Sequence, residues 1–256
     1  MPAGRDDADI DATRMPLGEH LEELRRRLIH ALLGLVVGVG VALGMANTLI
    51  DALEHSYATV MAHTGQEPQL HVKAVTEGFT TYFGVALVAG IVIASPWIFY
   101  QLWMFVAAGL YHRERRMILA AVPASAVLFA GGVAFFLFVA SIPLMRFFIG
   151  FNAWMGLTSV VMLHDHIRFM TRMLLVFGLA FQTPLVVFVL ARTGLVSRRA
   201  LHHYRKHVIV GMLVAAALAT SPSVVDQIAL ALPMWLLYEL GVLLAYLFPR
   251  AEPGDR

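Results

Sequence analysis

Pro16-Leu-Gly-Glu-His-Leu-Glu-Glu-Leu-Arg-Arg-Arg-Leu28 decides the fold, because it runs directly into the apolar stretch Leu28 to Ala46. Three consecutive arginines, Arg25, Arg26 and Arg27, cannot follow the helix into lipid, so they hold that end of the first span in the cytosol. The adjacent carboxylates, Glu22 and Glu23, are not needed for that job. Acidic residues contribute little to orientation, and these two would lie beside a surface that is usually anionic. On a helix Glu22 faces Arg26 and Glu23 faces Arg27 at i,i+4 spacing, and each such pair stabilises a helix by about 0.2–0.5 kcal/mol. Helix pairing is an adequate account of Glu22. It leaves a second role open for Glu23.

The rest of the chain continues the apolar theme. It is 59% hydrophobic and 14% charged, with mean hydropathy +0.73, where a soluble domain has roughly 45–50% apolar and about 25% charged residues. The composition is that of a polytopic membrane protein, and 256 residues leave no room for a second, soluble domain. With no cysteine, disulfides and thiolate metal sites are excluded. A net charge of +2 without a basic domain does not point to nucleic-acid binding. Residues 1–14 carry Asp6, Asp7, Asp9 and Asp11, the wrong charge for the start of a cleavable signal peptide. They read as a mobile cytosolic tail, followed by a single membrane domain over 15–248 and a second cytosolic tail over 249–256.

A helix needs about 20 mainly apolar residues to cross a bilayer. After Leu28–Ala46, the runs Phe79–Ala108, Met117–Ala140 and Phe169–Ala191 meet that length. Val208–Ala219 is shorter, 12 residues or about 18 Å as a helix, and Ile228–Phe248 follows it. Six crossings place 15 of the 19 Lys and Arg residues on the side that holds both termini. Lys73, Arg146, Arg168 and Arg172 remain on the other. That asymmetry predicts cytosolic termini. The expected architecture is therefore all-α, with six transmembrane helices. Pro96, Pro123, Pro184 and Pro233 lie in or near spans and are expected to kink several of them. The outer loops, roughly 47–78 and 141–168, hold two candidates for short interfacial helices, at 52–57 and 159–162.

No sequence pattern for catalysis is present: no His-Glu-x-x-His, no Gly-x-Ser-x-Gly, no Walker sequence and no dinucleotide fingerprint. His164 and His166 flank Asp165, but a polar loop cluster of this kind reads as solvated rather than metal-binding. The turn Gly109-Leu-Tyr-His-Arg-Glu-Arg-Arg116 isolates one acid, Glu114, among Arg113, Arg115 and Arg116. It either balances charge or accepts a bidentate hydrogen bond from an arriving guanidinium. Within spans, Gln182 precedes Thr183-Pro184, and Glu239 lies in Leu-Leu-Tyr-Glu-Leu-Gly. A carboxylate at mid-membrane costs about 2.5–3.5 kcal/mol on insertion scales, so it faces protein or a cavity. Asp226 and Gln227 fall at the outer turn between the last two runs.

Taken in order, these segments resemble the TatC family, the polytopic receptor subunit of the twin-arginine protein translocase. The motifs are His20-Leu-Glu-Glu-Leu-Arg-Arg-Arg-Leu28, Thr76-Glu-Gly-Phe79, Tyr100-Gln-Leu-Trp-Met-Phe105 and Gly109–Arg116. They continue with Phe181-Gln-Thr-Pro184, Thr220-Ser-Pro222 and Pro233-Met-Trp-Leu-Leu-Tyr-Glu239. The likeness runs from Pro16 to about Leu247. It implies a receptor and scaffold, not an enzyme, that binds twin-arginine signal peptides of folded cargo. It also implies a proton-motive-force-driven complex with TatA- and TatB-type single-span partners, in several copies, in the cytoplasmic membrane, without a cofactor. By the same resemblance Glu23 and Glu114 form the patch that receives the arginine pair, with Arg25, Phe105 and Tyr111 as neighbours. Gln182, Glu239 and Gln227 are expected contacts for partner helices. The chain departs from the pattern at Gln182, where many members carry glutamate, at Ser223 in place of an aspartate, and at Ala108 before Gly109. The rival function, a small-molecule secondary transporter, lacks the repeated pair of discontinuous helices that would mark a midplane site.

Overall fold

The computed structural model describes residues 17–64, 70–108, 115–157, 160–193, 196, 200, 203–219 and 224–247. The tails 1–14 and 249–256 lie outside them, as do Thr220–Ser223. Among the described residues the chain is helical with no strand. In order come α1 (Leu17–Thr64), α2 (Glu77–Ala108), α3 (Arg115–Phe135), a π-helical turn (Phe136–Ala140), α4 (Ser141–Trp154), α5 (Leu163–Ala180), α6 (Thr183–Thr193), α7 (Arg205–Ala219) and α8 (Val224–Leu247). Among the described residues four stretches are long and apolar enough to cross a membrane: Gly18–Ala62, Glu77–Ala108, Leu119–Trp154 and Leu163–Thr193, with Ala231–Leu247 shorter. The all-α membrane architecture expected from composition is present.

α1 is far longer than the run that predicted it. Its 48 residues extend about 72 Å, against about 30 Å of hydrocarbon. The segment 52–57 is the continuation of α1, not a separate interfacial helix. Between Ala46 and Thr64 there is no Gly or Pro to stop the helix. Leu53, Ser56, Tyr57 and Val60 recur at helical spacing and are all buried, so this C-terminal half of α1 has its own packing face. The Ser56 hydroxyl donates to Ser141 Oγ at 2.9 Å, and His166 Nε2 lies 3.3 Å from the Leu53 carbonyl. Of the other predicted interfacial helix, 159–162, Ser159 lies outside the described residues, and 160–162 are not helical: Met162 is extended and pairs with His71 in a short parallel bridge. The Lys73 ammonium reaches Asp165 at 2.6 Å, which ties the loop before α2 to the start of α5.

α1 and α2 are antiparallel and unusually close. Trp97 Nε1 donates to the His30 carbonyl at 2.9 Å, and the Tyr82 hydroxyl donates to the Leu43 carbonyl at 2.5 Å. Between these ties, Gly38 faces Gly90 and Ala94, while Ala42, Ala46 and Ala86 are buried. A Cβ added at Gly90 would lie 2.7 Å from the Val39 backbone. Small side chains on both helices permit that approach.

Prolines act differently at each site. Pro96 leaves the Val92 carbonyl without its helical partner, and the Ser95 hydroxyl donates to it at 2.7 Å, as a kinked helix in lipid requires. Pro143 cannot bond the Val139 carbonyl, and the π-helical turn falls there, letting α3 run on into α4. Pro184 does not kink a helix; it stands at the second position of α6, after a two-residue break at Phe181 and Gln182, where proline is well tolerated.

Candidate functional site

The antiparallel pairing of α1 and α2 brings the first turns of α1 against the last turns of α2. The rings of His20 and Phe105 meet in a tilted contact, 4.6 Å between centroids. One turn on, Glu23 lies on the face of α1 that turns toward Gln101. Both its oxygens are engaged. Arg27 Nε donates to Oε1 at 2.7 Å, and Arg26 Nη2 spans the carboxylate, at 3.0 Å from Oε2 and 3.3 Å from Oε1. Arg27 continues across to α2, where its Nη1 donates to Gln101 Oε1 at 3.1 Å. Glu23 and Arg27 are each 18% exposed, whereas Arg26 is 60% exposed. Gln101 is buried.

Electrostatics keep Glu23 ionised. It precedes the apolar run that begins at Leu28. Partial burial pushes its carboxyl up, but the hydrogen bonds and charges of Arg27 and Arg26 outweigh that and hold it below the usual glutamate value. An ionised, half-buried carboxylate offers up to four acceptor positions. Its chemistry suits a planar guanidinium, which can meet two of them at once.

Arg26 reaches Glu23 at i,i+3 rather than Glu22 at i,i+4. Glu22 is exposed; Glu23, one residue round the helix, offers the less hydrated carboxylate. The Glu23–Arg27 pairing has the expected spacing. Arg25 is exposed and, at about 100° per residue, lies on the far side of α1 from Glu23. Phe105 is brought to the site. Glu114 and Tyr111 lie outside the described residues. The contact that sequence reasoning missed is Arg27 with Gln101. A single amide within the apolar run Tyr100-Gln-Leu-Trp was the available signal.

The remaining candidates stand elsewhere. Gln182 sits in the α5–α6 break, is buried, and donates its amide to the Ser125 carbonyl at 3.0 Å. Ser125 Oγ in turn accepts from Trp103 Nε1 at 2.6 Å. Glu239 of α8 forms an ion pair with Arg205 of α7, while the buried Arg205 Nε has no hydrogen-bond partner among the described residues. Gln227 is half-buried near the start of α8. His164, Asp165 and His166 diverge to Thr81, Lys73 and the Leu53 carbonyl respectively. Among the described residues no group of three or more such side chains is placed to hold a metal ion.

Fold and site together define a multi-pass α-helical membrane protein with a half-buried, ionised carboxylate near one helix end. The family model described as Sec-independent protein translocase protein (TatC) matches residues 19–233. A TatC protein of Desulforapulum autotrophicum is 36% identical over 242 residues, covering 94% of this chain and 88% of the relative. One from Aquifex aeolicus is 32% identical over 239 residues, covering 93% and 98%. A crystal structure described as the twin arginine translocase receptor TatC superposes with a TM-score of 0.79 at 31% identity, over 89% of this chain and 98% of that one. The chain belongs to the TatC family. The resemblance read from its motifs is thereby established, and the transporter reading has no support from these relatives.

Proposed function

We propose that this chain is the signal receptor and scaffold of a twin-arginine translocase, binding twin-arginine signal peptides of folded proteins at the α1–α2 end. The observation that carries this reading is Glu23: ionised, half-buried, and facing a second helix, with the Phe105 ring nearby. Family membership supports it, since a solved relative is described as a twin-arginine translocase receptor. In this reading Glu114 supplies the second carboxylate of the patch, so that each guanidinium of the pair meets its own acid. Phe105 and Tyr111 contact the apolar part of the peptide, and Arg25 acts from the other face of α1. The protein crosses the cytoplasmic membrane six times with both termini in the cytosol, as its Lys and Arg distribution favours. It performs no reaction of its own. Gln182, Glu239 and Gln227 meet the helices of TatA- and TatB-type single-span partners in a complex that holds several copies of this chain, and the proton-motive force drives export.

The test is site-specific crosslinking of a twin-arginine signal peptide to the full chain in membranes. Glu23→Gln and Glu114→Gln each weaken crosslinking, and the double variant weakens it further. Crosslinking of both single variants at the wild-type level would overturn the assignment.

A further inference from the structure

We infer that Arg26 and Arg27 form a built-in arginine pair that masks Glu23 until a signal peptide displaces them, and that Gln101 is the residue that receives the displaced Arg27. The inference rests on Glu23 being part of the peptide site.

The geometry carries it. Arg26 Nη2 lies between the two carboxylate oxygens, on the edge that a fork-to-fork guanidinium contact would use. Arg27 Nε occupies a further position on Oε1. An arriving arginine therefore meets a carboxylate already bound by its own chain's arginines. The two are held unequally. Arg26 is mostly in solvent, and an exposed pair of this kind contributes little, so it swings away readily. Arg27 is mostly covered and bonds two partners at once. A half-covered guanidinium left without an acceptor is costly. Gln101 removes that difficulty: its Oε1 already accepts from Arg27 Nη1, so Arg27 can release Glu23 and keep a partner. Gln101 is thus a positioning residue that acts through Arg27 and need not touch the peptide.

The mask also bears on specificity. Only a ligand that bonds Glu23 better than a tethered arginine displaces it, and a tethered competitor acts at an effective concentration in the millimolar range. A lysine, a point charge without the planar fork, competes poorly against an arginine already in place. Masking lowers apparent affinity by the fraction of receptor that is open. An open fraction of about a tenth to a third means that removing the mask tightens binding about three- to tenfold.

The experiment is a titration of the full chain in lipid nanodiscs with a fluorescent twin-arginine signal peptide, with a twin-lysine peptide in parallel. Arg27→Gln is expected to bind the twin-arginine peptide about three- to tenfold more tightly than wild type, and to discriminate less against twin-lysine. Gln101→Leu is expected to weaken binding, because Arg27 then has only Glu23. In the Arg27→Gln background, Gln101→Leu is expected to be silent. A merely structural role for Arg27 would give the opposite sign. If Arg27→Gln does not fold, Arg27→Lys, which keeps the charge without the fork, gives the same sign at smaller size. Unchanged or weaker binding by the Arg27 variant, with Glu23→Gln still impaired, overturns the mask and leaves the receptor reading intact. Wild-type binding by Glu23→Gln overturns the receptor reading, and the mask with it.

Discussion

Gly90→Ala places one methyl group where α1 and α2 come closest. The new Cβ would lie 2.7 Å from both the Cα and the N of Val39, and 2.5 Å from its Cγ2. The side-chain atom can rotate away, but the two backbone atoms cannot. Carbon contacts are optimal at about 3.5–4.0 Å, so the helices must part by about 1 Å. Overpacking of this kind costs about 1–3 kcal/mol. The displacement would also carry Arg27 away from Gln101. Their bond is 3.1 Å, and lengthening it to about 3.6 Å or more ends it as a hydrogen bond. Gly84→Ala, on the same helix with nothing within 4 Å of the added Cβ, is the control. It replaces glycine in an open helix position and should stabilise by about 0.5–1 kcal/mol. Gly90→Ala makes the same helix-propensity gain, so the two variants should differ by the overpacking cost, about 1–3 kcal/mol, which for a chain of this size is about 2–12 °C in Tm. Thermal unfolding of the purified chain in detergent measures it. A Gly90→Ala protein that melts at or above Gly84→Ala would refute the close-packed seam.

Two further outcomes follow from buried contacts. Trp103→Phe and Ser125→Ala each remove the same buried indole hydrogen bond and should each lower stability by about 1 kcal/mol. The double variant should cost little more than either alone, and strictly additive losses would show that the bond is not shared. Burial holds the His166 imidazole below its usual pKa, and this group lies just outside the run that begins at Phe169. The unfolded chain takes up a proton near about pH 6.5, the folded chain only at lower pH. Stability should therefore fall as pH drops below about 6.5 and level off below the folded value. His166→Gln should flatten the pH dependence of Tm between pH 8 and 5, and an unchanged slope would contradict it.

Much of this was legible in the sequence because hydrophobic runs and flanking charges act locally. The apolar stretches located α1, α2, α3 and α5, and Arg25–Arg27 marked the end that carries the candidate site. What was hidden depended on partners distant in the chain. The C-terminal half of α1 looked like loop because Asp51, Glu54 and His55 interrupt its apolar run; its buried stripe packs against distant residues of α4 and α5, among them Ser141, Met145, His166 and Met170. Pro143 gave no hint that the chain would pass it through a π-helical turn and stay helical to Trp154. At the site, i,i+4 spacing anticipated Glu23 with Arg27. It could not anticipate Gln101, 74 positions later, because that contact exists only once glycines and alanines let the two helices close. Gln182, read from the family pattern as a partner contact, has its amide bonded to Ser125 of its own chain, which leaves its carbonyl oxygen as the group to offer another helix.

The most direct test of the central claim is complementation. This chain would be expressed in a strain lacking its own TatC, and export would be scored with a twin-arginine reporter and its twin-lysine counterpart. The account predicts export of the first and not the second, with export lost in the combined Glu23→Gln, Glu114→Gln variant at unchanged protein level. Equal export of both reporters, or full export by the double variant, would contradict it.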